Sequence, residues 1–232
     1  MKKSEDDKKN RIQQRKEKER ELRRNQIINA AESLFLSKGF NDTKIEQIAY
    51  EASLSKGTVY NYFDSKDQLY LAIASIAYSK LFEYTKRSIK GFKPGINKLN
   101  AFGKAFYTFS KEYPNYAKVV HNYDSKTNLT KAIIEKKDPI LNSREFEDLN
   151  KVVNQYRMLF IQIITEGIES NSIRKDLDPN LLALTLSMLT GGIIEELTKN
   201  RFFLKNLKIL EEDIIALVFD WIGEGLRPKS QK

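Results

Sequence analysis

Two short apolar patterns at helical spacing, joined by a turn of only three or four residues, constrain this chain more than anything else in it. Ile45, Ile48, Ala49 and Ala52 recur at the spacing of one buried helix face. Thr43 offers an N-cap hydroxyl, and Glu46 three residues on completes the pattern of a capping box. Ser53-Leu54 interrupts this helix and Ser55 can cap a second one, from Lys56 to about Tyr62, with Val59 and Phe63 on its buried side and Leu54 helping. So short a gap holds a turn and nothing more, and the two helices read as a helix-turn-helix.

The second helix is poorly built for its own sake. Gly57, Thr58 and Val59 are weak helix formers, and a helix of about two turns gains little from propensity. Gly57 near the start lets another surface come close to the backbone, and free amides at a helix N-terminus suit a phosphate. Thr58, Tyr60, Asn61 and Tyr62 can exchange hydrogen bonds with base edges, and the Thr methyl and ring faces can touch thymine methyls. A solvated face in a small helical bundle accounts for each residue singly. Capping, spacing and exposed chemistry together favour a face that reads DNA.

The stretch IINAAESLFLSKGFNDTKIEQIAYEASLSKGTVYNYFDSKDQLYLAIA, Ile27 to Ala74, resembles the DNA-binding domain of the tetracycline-repressor (TetR/AcrR-like) family of transcription regulators. The likeness is carried by AA-x-x-LF-x-x-KGF, T-x-x-x-IA-x-x-A and S-KGT-x-Y-x-YF-x-SK-x-x-L, in register over these residues. It implies that Thr43 and Lys66 hold phosphates at the edges of the motif. It also implies that Lys56, Gly57, Thr58, Tyr60, Asn61 and Tyr62, behind the Ser55 cap, face the major groove. Ser53 stands where the family usually has Gly, so a side chain occupies a turn position suited to left-handed backbone, at about 1 kcal/mol or less.

The formal net charge is +9, and its distribution matters more than its size. Residues 1–24 carry eleven Lys/Arg against six Asp/Glu, residues 25–72 four against six, and the remainder twenty-five against nineteen. Broad attraction to a polyanion must therefore come largely from the first segment. That segment has almost no apolar residue and reads as a flexible charged tail, 1–24. Two other readings stay open: a backward extension of the first helix, since Glu17, Glu19 and Glu21 lie within helical reach of Arg20, Arg23 and Arg24, and a basic arm along DNA. With no cysteine there is no disulfide framework. No run of about 18 apolar residues appears and the N-terminus is charged, which predicts a cytoplasmic protein with no membrane partner.

The rest reads as helix throughout, giving an all-α fold. A three-helix DNA-binding unit with its connecting helix occupies 25–90, and a larger helical ligand-binding and dimerisation domain occupies 91–232, the boundary falling at the breaker GFKPG, 91–95. Ile27, Ile28, Ala31, Leu34 and Phe35 form the buried stripe of the first folded helix, which Gly39 ends with Phe40 folding back. Ser65 and Gln68 open a long helix to about Ile89. Further helices are predicted over 97–112, from Pro114 to about 122, over 143–170, from Asp178-Pro179 to about Lys199, and from about Lys208 to Gly225. Helical spacing over 128–137, broken at Asp138-Pro139, is the least legible stretch.

The last two helices are apolar on more than one face and need a second partner surface. Burial within one chain would supply it. The family resemblance implies instead a homodimer built as a four-helix bundle, with Leu186, Leu189, Gly191, Ile194, Val218 and Trp221 at the interface. Two reading helices about one DNA turn apart, ~34 Å, then require a pseudo-palindromic double-stranded operator. Phe102, Phe106, Phe109, Tyr113, Tyr123, Tyr156 and Phe160 sit at helical spacing, as core aromatics do. The resemblance implies that they line a pocket for a small apolar effector that releases a repressor from its operator.

Enzyme chemistry finds no support. The single histidine, His121, lies near Tyr116, Tyr123 and Asp124 and reads as structural, no Cys/His cluster suits a metal, and no phosphate loop or cofactor motif appears. The remaining alternative is a basic helical interaction protein that binds nucleic acid or anionic surfaces without sequence specificity.

Overall fold

The computed structural model describes residues 2–126 and 139–228, and every regular element among them is helical. The helices are α1 (Lys2–Lys38), α2 (Ile45–Glu51), α3 (Lys56–Tyr60), α4 (Lys66–Ser88), α5 (Ile96–Glu112), α6 (Pro114–Lys126), α7 (Arg144–Glu169), α8 (Pro179–Lys199), α9 (Arg201–Leu207) and α10 (Glu211–Leu226), with a 3-10 turn at Pro139–Asn142. The helix expected over 128–137 lies outside the described residues.

The chain divides into two compact units, one holding residues 1–75 and 129–149, the other 76–128 and 150–232. The division thus falls within α4 rather than at 91–95, and the start of α7 joins the N-terminal unit. The GFKPG stretch is nonetheless a break: Gly91 and Gly95 both have positive φ, and a Cβ on Gly95 would meet the Ser172 hydroxyl at 2.8 Å. It separates α4 from α5.

The segment read as a flexible tail is the opening of α1. Alternating Lys, Glu, Arg and Gln are strong helix formers, and two ion pairs tie the segment's C-terminal end to the start of α7: Arg24 with Glu145 and Arg144 with Glu21, each at 2.7 Å. The core of the N-terminal unit takes Ile27, Ile28, Ala31, Leu34 and Phe35 from α1, as their spacing predicts. Gly39 stops the helix at φ +90°, and Phe40 turns back edge-on to Phe35 with ring centroids 5.3 Å apart.

In the C-terminal unit, Phe102, Phe160, Ile163, Ile164, Leu182 and Leu186 belong to one core cluster, and Tyr107, Leu197, Leu204 and Ile215 form a second. A Cβ on Gly103 would lie 2.6 Å from the Phe219 ring, so α5 and α10 meet with that ring seated on bare backbone. Asp178 caps α8 through its carboxylate, 2.8 Å from the Leu181 amide, with Pro179 at the first helical position. Helix α9 was hidden from the pattern by its solvent-facing Phe202 and Phe203, which blur any stripe.

Candidate nucleic-acid interface

The turn between α2 and α3 is built as its sequence suggests. Ile45, Ile48, Ala49 and Ala52 are buried, with Val59 and Phe63 beneath α3. Ser53 takes φ 53°, the left-handed conformation expected at a glycine position. Ser55 caps α3: its hydroxyl accepts from the Thr58 amide at 3.0 Å and lies 2.8 Å from the Thr58 hydroxyl. Gly57 faces open space, with only the Ser55 hydroxyl within 4 Å of a hypothetical Cβ. Around it Lys56, Tyr60 and Asn61 are exposed, and Thr58 and Tyr62 half-buried.

Three expected roles change. Thr43 is only 1% exposed, and its hydroxyl donates to the Gly39 carbonyl at 2.8 Å, so it neither caps α2 nor offers its side chain to a phosphate. The residue before α2 is Lys44, whose amide donates to the Gln47 side chain at 3.0 Å, the place given to Glu46 by the sequence pattern. Glu46 instead binds Lys56, Oε1 to Nζ at 2.5 Å, and this bond holds the carboxyl below and the ammonium above their ordinary ranges. Lys66 donates to the carbonyls of Phe40 and Thr43 at 2.8 and 3.0 Å and lies 4.2 Å over the Phe40 ring, clamping the α1–α2 loop. Its ammonium is satisfied within the fold. Tyr50, 86% exposed on α2, is an addition that no stripe or motif indicated.

The candidate effector aromatics fall into more than one group. Phe102 stacks on Phe160 at 4.2 Å and lies 5.2 Å from Tyr156, while Tyr78 bridges Tyr156 and Tyr123. Phe109 and Tyr113 gather instead around Tyr84, and Phe106 is half-buried. Burial and a bond to Glu112 push the Tyr84 phenol up to about 12. Among the described residues no group of three or more His, Cys, Asp or Glu could hold a metal. His121 pairs with Glu195 at 2.9 Å.

Of the expected dimer residues, Leu186 is 7% exposed and belongs to the chain's own core. Ile194, Val218 and Gly191 are half-buried, and Leu189 and Trp221 are exposed, Trp221 at 66%. The uncovered stripe of α8 is Leu181, Leu184 and Met188, the last 69% exposed, one helix side away from Leu186. Against the expectation of no apolar run, α8 has the length and mean hydropathy of a membrane span; its Thr, Ser and Gly residues dilute the leucines too little to change that. Its Leu182, Ala183, Leu186 and Leu197 are nevertheless buried against helices of the same unit.

Residues 27–73 match the model of the family described as bacterial regulatory proteins, tetR family. The chain is 28% identical over 173 residues to the fatty acid metabolism regulator protein of Bacillus subtilis (strain 168), covering 75% of this chain and 80% of that protein. Among solved structures it resembles the fatty acid degradation regulator FadR of Bacillus halodurans, with TM-score 0.63 and 17% identity over 89% of this chain and 97% of that one. It is equally close in fold to the transcriptional regulator FadR of Bacillus subtilis, crystallised with stearoyl-CoA, with TM-score 0.62 and 20% identity over 87% of this chain and 98% of that one. The capped, outward-facing α3 and these likenesses agree: residues 27–73 are a DNA-binding domain of the tetR family, and the protein is a helix-turn-helix DNA-binding regulator of transcription.

Proposed function

We propose that this protein is a homodimeric cytoplasmic repressor, without enzymatic activity, that leaves a pseudo-palindromic operator when a small apolar effector binds its C-terminal unit. The observation that carries the DNA reading is Gly57. It lies inside a helix with ordinary backbone, touches nothing that would exclude a side chain, and lowers helix stability by about 1 kcal/mol relative to alanine. A glycine that the fold does not require fits a surface that another molecule approaches closely.

Dimerisation is supported by the apolar faces of α8 and α10, where Leu181, Leu184, Met188, Leu217 and Trp221 stand exposed in the single chain. Exposed apolar residues grouped this way on two neighbouring helices of the chain mark an association surface. For the effector, the guide is the Bacillus subtilis relative captured with stearoyl-CoA; a long-chain acyl-CoA, apolar along its acyl chain and anionic at its CoA end, is the first candidate, the acyl chain being the apolar part that enters the C-terminal unit. Such a ligand acts only if it favours one arrangement of the protein over another.

Selection of a bound duplex from random-sequence DNA, followed by titration with acyl-CoAs of graded length, tests all three parts. A palindromic consensus is expected, with Tyr60→Ala losing about 1–3 kcal/mol on it and release by long-chain acyl-CoA. No preferred sequence, with equal binding by the Tyr60→Ala variant, refutes the operator reading in favour of non-specific binding.

A further inference from the structure

The helix-turn-helix stretch is short of available positive charge. Residues 25–72 hold four Lys/Arg, namely Lys38, Lys44, Lys56 and Lys66. Of these, Lys56 is bound to Glu46 and Lys66 to two loop carbonyls. Affinity for duplex DNA nonetheless rests heavily on cations placed against phosphates.

The opening of α1 has what α3 lacks. At 3.6 residues per turn, Arg11, Arg15 and Lys18 form one row and Lys16, Arg20 and Arg23 a second, and all six are exposed. Within residues 10–24, Glu17 and Glu21 lie with Arg24 on the other side of the helix, leaving Glu19 as the acidic residue between the rows, while Glu5, Asp6 and Asp7 lie closer to the N-terminus. That other side faces the protein: Glu21 binds Arg144 and Arg24 binds Glu145. The two cationic rows therefore point away from the body.

The root of this arm is fixed beside the reading helix. The Gln26 side chain donates to the Ala52 carbonyl at 2.7 Å, at the end of α2, and the Arg24 guanidinium lies 5.3 Å over the ring of Phe63, just after α3. Residues 2–23 extend roughly 33 Å from there at 1.5 Å per residue.

We propose that residues 2–23 of α1 form a second DNA-contacting element, a rigid basic helix whose outward rows lie against phosphates of the duplex flanking the site held by α3. The proposal rests on the DNA-binding reading above. The helix exists before binding, so little ordering opposes the contact, and the ion pairs to Arg144 and Glu145 set its direction.

The test compares the full chain with a variant carrying R11Q, R15Q, K16Q, K18Q, R20Q and R23Q, glutamine keeping helix propensity while removing charge. The probes are the duplex selected by the full chain, trimmed to its site, and the same duplex extended by about one helical turn, ~34 Å, of unrelated sequence at each end. The variant is expected to keep the site preference. On the extended duplex it should lose at least about tenfold in affinity, with the slope of log K against log salt reduced by up to about 5, and on the trimmed duplex it should lose less. A slope within about one unit of the parent's on the extended duplex overturns the proposal. Deletion of residues 2–20 reads the same slope without relying on the variant's helix, and no change there overturns it too. So does a loss confined to phosphatidylglycerol vesicles. If the full chain selects no sequence, the operator reading fails, and the slopes measured on random duplex still decide the arm.

Discussion

Lys56 Nζ is 2.5 Å from Glu46 Oε1, so the cation at the head of the reading helix is tied to the helix before it. The carboxylate holds the reading face's most prominent positive charge. Glu46→Gln should release Lys56 and remove a negative charge from the same surface. Operator affinity is expected to rise severalfold at low salt, with the salt slope steepening by about one contact, ~0.9. Lys56→Ala should move both quantities the other way in a fluorescence-anisotropy titration across salt.

Gly57→Ala separates stability from recognition. Its backbone is helical and the added methyl meets only the Ser55 hydroxyl at 3.9 Å, so thermal unfolding should show a gain of about 0.5–1 kcal/mol. Operator binding should weaken by tenfold or more, because the methyl fills the space the duplex enters. A variant more stable and equally tight on DNA would remove the main support for the DNA-facing assignment.

Ser53 offers a second stability measurement. With φ at 53° it sits where glycine is comfortable, and Ser53→Gly should stabilise by up to about 1 kcal/mol without loss of DNA binding.

The single tryptophan reports on association. Trp221 is 66% exposed in one chain, so dimerisation through α8 and α10 should shift its emission to the blue, and dilution should reverse the shift. Met188→Glu is expected to yield a monomer of unchanged helicity, with association weakened by about 2 kcal/mol or more and operator affinity reduced with it. Sedimentation velocity distinguishes these states.

Acid stability follows from Lys98 and Glu166, joined at 2.7 Å across the C-terminal unit. The Lys98 hydrogen bond holds the Glu166 carboxyl below its ordinary range. The native state therefore binds that proton less readily than the unfolded chain, and the stabilisation is complete above the ordinary carboxylate value and disappears as pH falls through the lowered one. Lys98→Met should flatten the fall of unfolding free energy over that acid window.

Much of this fold was legible because local signals and packing agree. Asp178-Pro179 marks the start of α8, and Ser55 marks the start of α3, since a cap and its amide are neighbours in sequence. Thr43 was not legible in the same way. Its hydroxyl could serve two carbonyl or amide sets, and the left-handed Gly39 brings the Gly39 carbonyl within 2.8 Å, a closure invisible to spacing. Lys66 escaped for a related reason: its partners, Phe40 and Thr43, are set by a loop more than twenty residues away. Leu186 looked like its neighbours on an all-apolar helix, and only packing distinguishes it from Met188. Long-range placement also decided the aromatics, which alternate at one period yet fall into separate groups around Tyr78 and Tyr84.

The Phe219 ring lodged on Gly103 acts as a key in a slot. Sliding α10 along α5 would force the ring out of its seat or drive it into the neighbouring side chains, so small displacements of α5 are transmitted to α10 rather than absorbed. An effector wedging α5 aside would thus shift Trp221 with it, and gearing of that kind needs no flexible hinge.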